Sequence, residues 1–494
     1  MLALSIGIAC TKDDEETPDS FANNLKITEV VVGDPNTGSE FRMITFDLNW
    51  DNNWQTSSSP DNWDAVWVFI KYKVGNEEWR HATLSDNSSD HLAPSGAIIN
   101  TTGDGKGVFI YSSENRNATF NAADVSLRWN YGLDNVEDDA VVNVKVFGLE
   151  MVYIPQGSFY AGDNGTMEAS FTKGESDNRP WFITSEDAIE VTNTVSDGYY
   201  YTSSKDYWSE FNASEDETGT IFSIPADFPK GYRAIYCMKY ELTQQQYVDF
   251  LNTLTTSQAA NRYDGTKYNQ YGYTILERNG IFSTSHPDRA CGFLSPADGF
   301  AFADWAGLRP MSELEYEKIC RGSGNPAVSG EYAWGTTYFK NAQSVQGSEE
   351  DREIISSIGA NCYFWDEVTP PGPEFPLNAG IFAGDGKSRE LNGAAYYGVM
   401  EMSGNLHETC VTIGNQYGRT FTFRNGNGLL SADGFADENG WPLRDGKGSG
   451  YHGGNLTINR GHMCVSLRLD TAVETDCTHR HIPWGFRGVR TVLE

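Results

Sequence analysis

Two groups of residues in this chain are of types and spacings that could do chemistry. The first is Gly404-Asn405-Leu406-His407-Glu408, which closes a stretch that begins at Tyr397. Ser403-Gly404-Asn405 is turn chemistry, because Gly takes positive φ without penalty and Asn tolerates it. Asn405 and Glu408 place hard oxygen ligands beside a turn whose carbonyls can be exposed, which is what a calcium ion requires. A tight structural turn without an ion explains the same residues. The second group is His462, Cys464, Cys477, His479 and His481. Imidazoles and thiolates suit softer metals. A Cys464–Cys477 disulfide, or two separate buried thiols with surface histidines, is the other reading.

The chain that must position these groups has 494 residues, too many for one ordinary core, so two or three domains are expected. A hydrophobic content of 39% and an aromatic content of 13% argue a folded chain, while 50 glycines suggest long polar loops. No apolar run is long enough to span a bilayer as a helix. The 36 basic and 68 acidic residues give a net charge of −32, which repels nucleic acid and anionic lipid and argues against nucleic-acid partners. None of the eight cysteines forms a C-x-x-C pair, so zinc ribbons and thioredoxin-like sites are not expected. G-x-S-x-G, H-E-x-x-H and P-loop patterns are missing, and no repeat period is visible.

Residues 1–25 read as targeting and linker. The apolar run to Ala9 ends at Cys10, like the end of a bacterial lipoprotein signal peptide, with Cys10 as the lipidated residue. Gly7 and Ile8 depart from that pattern, and no basic residue precedes the run; a start codon placed too late would explain the second departure. Thr11-Lys12-Asp13-Asp14-Glu15-Glu16 resembles the acidic export signal of surface lipoproteins in Bacteroidetes-type bacteria. The expected location is the outer membrane at the cell surface, with contact to the membrane through the lipid anchor only.

Residues 26–147 show period-two patterning. In Asp64 to Lys73, one face is Val66, Val68, Ile70 and Tyr72; the other turns from Trp67 and Phe69 to Lys71 and Lys73, so burial is expected at one end. Ile27–Val32, Met43–Trp50, Gly107–Tyr111, Val125–Trp129 and Val141–Phe147 look similar. Short strands with turn clusters between them argue an N-terminal β-sandwich. The tryptophans at 50, 54, 63, 67 and 79 are read as core and inter-domain packing, with a sugar-stacking platform as the other use.

Residues 148–494 carry a series of ordered segments. Met151 to Asp163 is a strand ending in a Gly turn. Tyr240 to Leu251 is a helix with Thr243 as N-cap. Ser295 to Pro310 is a second helix with Gly307 at its exit. Met311-Ser312-Glu313-Leu314-Glu315 starts a third, with Ser312 and Glu315 as a capping box. Tyr332-Ala333-Trp334-Gly335, Gly404 to Glu408, and Trp484-Gly485-Phe486-Arg487-Gly488-Val489-Arg490 follow. In this order the segments resemble the sulfatase-modifying-factor domain, the family of the formylglycine-generating enzyme. The resemblance implies an α+β chain whose C-terminal part is an irregular fold of the C-type-lectin kind. Residues 164–230 lack such segments and read as an inserted, exposed loop region.

In the family's oxidase, two thiolates a few residues apart follow an "RGGSW" strand and bind copper. Here Arg460 and Gly461 match, but Cys464 falls about two positions early and Cys477 is 13 residues further on. Copper is therefore not expected. No histidine pair has the H-x-x-x-H-x-E spacing of the iron-dependent relatives. The resemblance also implies calcium near Asn361 and at the Asn405/Glu408 turn, although His407 and Thr409 replace two family tryptophans. The favoured expectation is a non-catalytic surface lipoprotein that binds other surface or outer-membrane proteins, similar to gliding- or secretion-associated lipoproteins. An oxidative enzyme using the displaced Cys464/Cys477 and histidine cluster, and a calcium-dependent glycan binder, are the alternatives.

Overall fold

The computed structural model describes residues 25–114, 116–175, 179–193, 196–347, 353–365, 373–384, 388–442, 446–472 and 478–492. Cys10 and Cys477 lie outside the described residues. Strands β1 (Lys26–Val32), β2 (Arg42–Gln55), β3 (Asp64–Val74), β4 (Arg80–His81), β5 (Ala97–Thr101), β6 (Val108–Ser112), β7 (Arg116–Trp129) and β8 (Val142–Ile154) come first. β1, β2 and β7 form a three-stranded antiparallel sheet. Alternation decides how it packs. Val66, Val68 and Ile70 of β3 meet Ile44, Phe46 and Leu48 of β2 and Leu127 and Trp129 of β7 in one buried cluster. The opposite face of β3, Ala65, Trp67 and Phe69, enters the core of the C-terminal half beside Phe302, Trp305 and Leu308. Each such side chain contributes about 1.5–3 kcal/mol on full burial, so β3 is anchored on both faces.

Burial runs further along β3 than alternation suggests. Lys71 is 2% exposed, and its ammonium donates to Trp305 O at 2.7 Å and Gly428 O at 2.9 Å. These carbonyls let a lysine enter the core, although burial pulls its pKa well below the ordinary value.

β8 passes through the 147/148 boundary suggested by the sequence. It pairs with β3 from Val74↔Val142 to Asp64↔Val152, and its last residues pair with the strand Ile235–Met238. One ten-stranded sheet thus runs from β5 through β6, β3 and β8 into the C-terminal half. It continues through Ile235–Met238, Gly488–Thr491, Arg309–Ser312 and Glu408–Val411 to Ser449–His452.

Helices α1 (Gln244–Leu251), α2 (Thr256–Arg262), α3 (Pro296–Trp305) and α4 (Glu313–Arg321) each begin with a closed capping box. Gly307, just past α3, has φ +69°, a conformation that Gly adopts without a Cβ penalty. Among the described residues no helix is long and apolar enough to cross a membrane.

Residues 164–230 are not the exposed loop region their composition suggests. Phe171, Trp181, Ile183, Val191, Tyr201 and Ile224 are buried in the main core. Short strands at Thr172–Lys173, Tyr199–Tyr200, Ile189–Val191 and Phe222–Ile224 make a separate sheet.

Candidate functional site

The Gly404–Glu408 turn is held by its own polar groups. Gly404 and Asn405 have φ +95° and +62°, as turn residues should. The Asn405 N–H donates to Tyr363 O at 2.8 Å, and Leu456 N–H donates to Asn405 O at 2.9 Å. Its side-chain oxygen accepts from Leu377 N at 2.8 Å, and its Nδ2 donates to Glu241 Oε2 at 2.5 Å. Glu408 Oε1 accepts from Arg487, whose remaining donors reach Met238 O and Met400 O. Asn361 belongs to another turn, accepting from Lys340 N and donating to Glu390 O. Asn361 and Asn405 thus lie in two different turns, and the side-chain oxygen of each accepts a backbone N–H.

Three buried carboxyls, Glu241, Glu401 and Glu408, surround the turn with one guanidinium, Arg487. Burial, then the charges of Glu408 and Glu401, hold the Glu241 pKa well above the carboxylate range. Burial pushes Glu401 up to about 7 against the pull of Arg487, and it raises Glu408 as well. Glu401 Oε1 and Glu408 Oε2 are buried acceptors with no hydrogen-bond partner. Carboxyl oxygens without donors, once ionised, fit a hard cation. Among the described residues, however, no group of three or more His, Cys, Asp or Glu side chains forms a metal-sized cluster. Glu241 and Glu401 went unnoticed in the sequence because pairs of acids mean little there without geometry.

The stretch after Arg460 is covered. Cys464 is a free thiol, 5% exposed, with Sγ 3.5 Å from Gly330 O. Burial pushes its pKa up to about 12, with Asp163 and Glu168 adding to the rise. Two residues on, where the family resemblance puts the first thiolate, Ser466 accepts from Arg321 at 2.9 Å and donates to Glu317 at 3.0 Å. Arg468 joins Glu313 at 2.8 Å to Glu215 at 3.2 Å. Glu215 belongs to the inserted region, as do Asn212, which donates to Leu469 O and accepts from Ala472 N, and Ser214, which donates to Ala472 O. The insertion therefore lies on residues 468–472, while Ser466 is covered by Arg321 and Glu317 of the domain itself. Ser466 and Thr471 are each 1% exposed.

Histidines and aromatic rings gather at the adjoining edge. Cross-strand pairing sets Glu408 opposite His452 and Thr409 opposite Tyr451. Tyr451 stacks on Trp484 with centroids 4.7 Å apart, and Phe211 of the insertion packs against this pair. Trp208 stacks on Phe211 in turn. Asp470 lies 3.4 Å from His462 and 3.9 Å from His407, and burial lowers the His407 pKa to about 4, leaving it neutral. His479 and His481 touch Trp484 from the other side. The expected cluster is thus split: His462 faces Asp470, His479 and His481 face each other, and Cys464 bonds to a carbonyl. The association of Phe211 with Tyr451 and Trp484 had no signal in the sequence.

Next to His481, Ile482 helps line a cleft of about 270 Å³ with Tyr271, Tyr363, Trp365, Glu374 and Leu456. Tyr271 and Trp365 are 48% and 41% exposed. Tyr363 and Leu456 are the residues bonded to Asn405, so the Gly404–Glu408 turn supports this wall.

A sheet-rich α+β fold, with buried arginines and glycine turns in place of long regular elements, defines the class of this domain. The family model of the sulfatase-modifying factor enzyme 1-like domain matches residues 141–492, and the chain belongs to that family. No curated protein matches the chain.

Proposed function

We propose that this protein is a non-catalytic member of its family that binds partners at a bacterial cell surface. Our reading makes it a lipoprotein held through Cys10 to the outer membrane, with residues 26–147 as a β-sandwich domain. It would take part in a surface complex of the gliding or secretion type. The observation that carries the non-catalytic reading is that residues 466–472 are covered: Ser466 is buried against Arg321 and Glu317, and the insertion lies on 468–472. A thiolate there would have no room to meet copper and substrate, and Cys464 nearby is buried and protonated at neutral pH. We assign the expected calcium to Glu401 and Glu408, whose oxygens are free, in place of Asn361 and Asn405.

The test is to incubate purified protein with copper(I), oxygen and a cysteine-containing peptide. No aldehyde is expected above a metal-only control; turnover that disappears in Cys464→Ser would overturn the reading. Incorporation of labelled palmitate, abolished in Cys10→Ala, tests the anchor separately.

One observation favours a second reading. The exposed rings of Tyr271 and Trp365 beside the cleft suit stacking on sugar faces, which makes a glycan binder. A glycan array probed with calcium present distinguishes the two, since a blank array removes the glycan reading and leaves protein partners.

A further inference from the structure

His479 and His481 approach each other with Nε2 atoms 2.6 Å apart and ring centroids 4.3 Å apart. Both are exposed. The residue between them is turned the other way: Arg480 makes a two-point ion pair with buried Asp298, at 2.7 Å from both Nε and Nη2. Asp298 is itself fixed as the capping-box residue of α3. Trp484 backs both imidazoles. A salt bridge below and an aromatic wall behind thus hold two nitrogen donors in one spot at the surface.

We propose that His479 and His481 form a two-nitrogen chelate for a borderline transition-metal ion, of the zinc(II), nickel(II) or copper(II) class, beside the Ile482 cleft. Imidazole is the donor these ions prefer, whereas calcium and magnesium prefer oxygen. Metal–nitrogen bonds of about 2.0–2.1 Å would need the two nitrogens roughly 3 Å apart, a small separation for two exposed rings. The remaining coordination positions stay open to water or to a donor group on a molecule in the cleft. The chain as a whole carries −32, which favours cations at its surface. His462 takes no part, because its Nδ1 faces Asp470. The inference rests on neither the non-catalytic reading nor the calcium assignment.

The experiment is calorimetric titration of the thiol-alkylated full chain with nickel(II), zinc(II) and copper(II) at pH 7.5. One equivalent is expected, with copper(II) bound tightest in keeping with the usual order for nitrogen sites. His479→Ala and His481→Ala should each weaken nickel binding about tenfold or more, a loss of about 1.4 kcal/mol or more. His286→Ala should leave it unchanged. Both ring changes are at the surface, and unaltered melting would show that the fold persists. Copper(II) spectra should report two nitrogen ligands in the parent and one in each variant. No binding at millimolar metal, or binding that survives both single substitutions, would overturn the proposal. In that case the 2.6 Å contact is an N–H···N hydrogen bond only.

Discussion

Two buried acid clusters sit in the same domain and differ in how completely their carboxylates are partnered. In the first, Glu313 and Glu215 share Arg468, and every carboxylate oxygen has a donor. Glu313 Oε1 accepts from Thr412 and Ile413 N, and Glu215 Oε2 accepts from Ser204 N. Burial alone would raise Glu313, yet Arg468 and His452 bring it down to about 2, whereas for Glu215 burial outweighs the pull of Arg468 and leaves it raised. In the second, Glu241, Glu401 and Glu408 share Arg487, two oxygens lack donors, and Glu401 rises to about 7. Equal burial therefore does not mean equal charge. The first cluster is a balanced clamp between the insertion and the domain. The second is short of positive charge and has room in its chemistry for a cation or a proton.

The clamp should be the harder to lose. Arg468→Met leaves two buried carboxylates without their guanidinium, and a loss of about 3–5 kcal/mol is expected in denaturant unfolding. A loss under 1 kcal/mol would mean that the clamp contributes little. Calcium should act on the second cluster alone. At a hundredfold excess over its dissociation constant it should add about 2.7 kcal/mol, raising the melting temperature, and Glu401→Gln should abolish the effect. Melting that is indifferent to calcium and to chelator would leave a protonated cluster without an ion.

Replacing one acid in each cluster should give opposite signs. In calcium-free buffer at pH 8, Glu313→Gln should destabilise by about 2 kcal/mol, while Glu401→Gln should stabilise. The pH windows differ for the same reason. Glu313, lowered from 4.5 to about 2, contributes stability above pH 4.5 that is lost as pH falls through 2. Glu401, raised from 4.5 to about 7, contributes stability below pH 4.5 that is lost as pH rises through 7. Each glutamine variant should flatten its own window and leave the other; a shared window would break the comparison. The smallest effect concerns the insertion. Asn212→Ala removes the bonds to Leu469 and Ala472 and should cost about 1 kcal/mol, with faster proteolysis in the insertion as the more sensitive measure.

Local rules made much of the fold legible. Thr243, Ser295 and Ser312 cap helices where their spacing indicates, because a capping box is closed by residues three apart. Val66, Val68 and Ile70 share a face because strand side chains alternate. What failed was local reasoning about long-range burial. Lys71 is polar by type but buried, since its partners are carbonyls of Trp305 and Gly428. The insertion looked like a surface loop, since it is rich in Ser, Thr, Tyr and Asp. The turn at Asn405 was visible as a turn, but its side chain serves Glu241 and Leu377. Neither partner is near it in the chain.

By itself the sequence determined the domain family, the helix starts, the strand faces, and a net charge of −32 that disfavours nucleic acid. These follow from spacing and composition, which act over a few residues or over the whole sum. Only the tertiary structure decided which acids share an arginine, which histidines meet and what covers residues 466–472. Those outcomes depend on distances between residues such as Glu313 and Arg468, or Asn212 and Leu469, far apart in the chain. The energy of a buried charge is set by its neighbours in space, and spacing along the chain does not encode them.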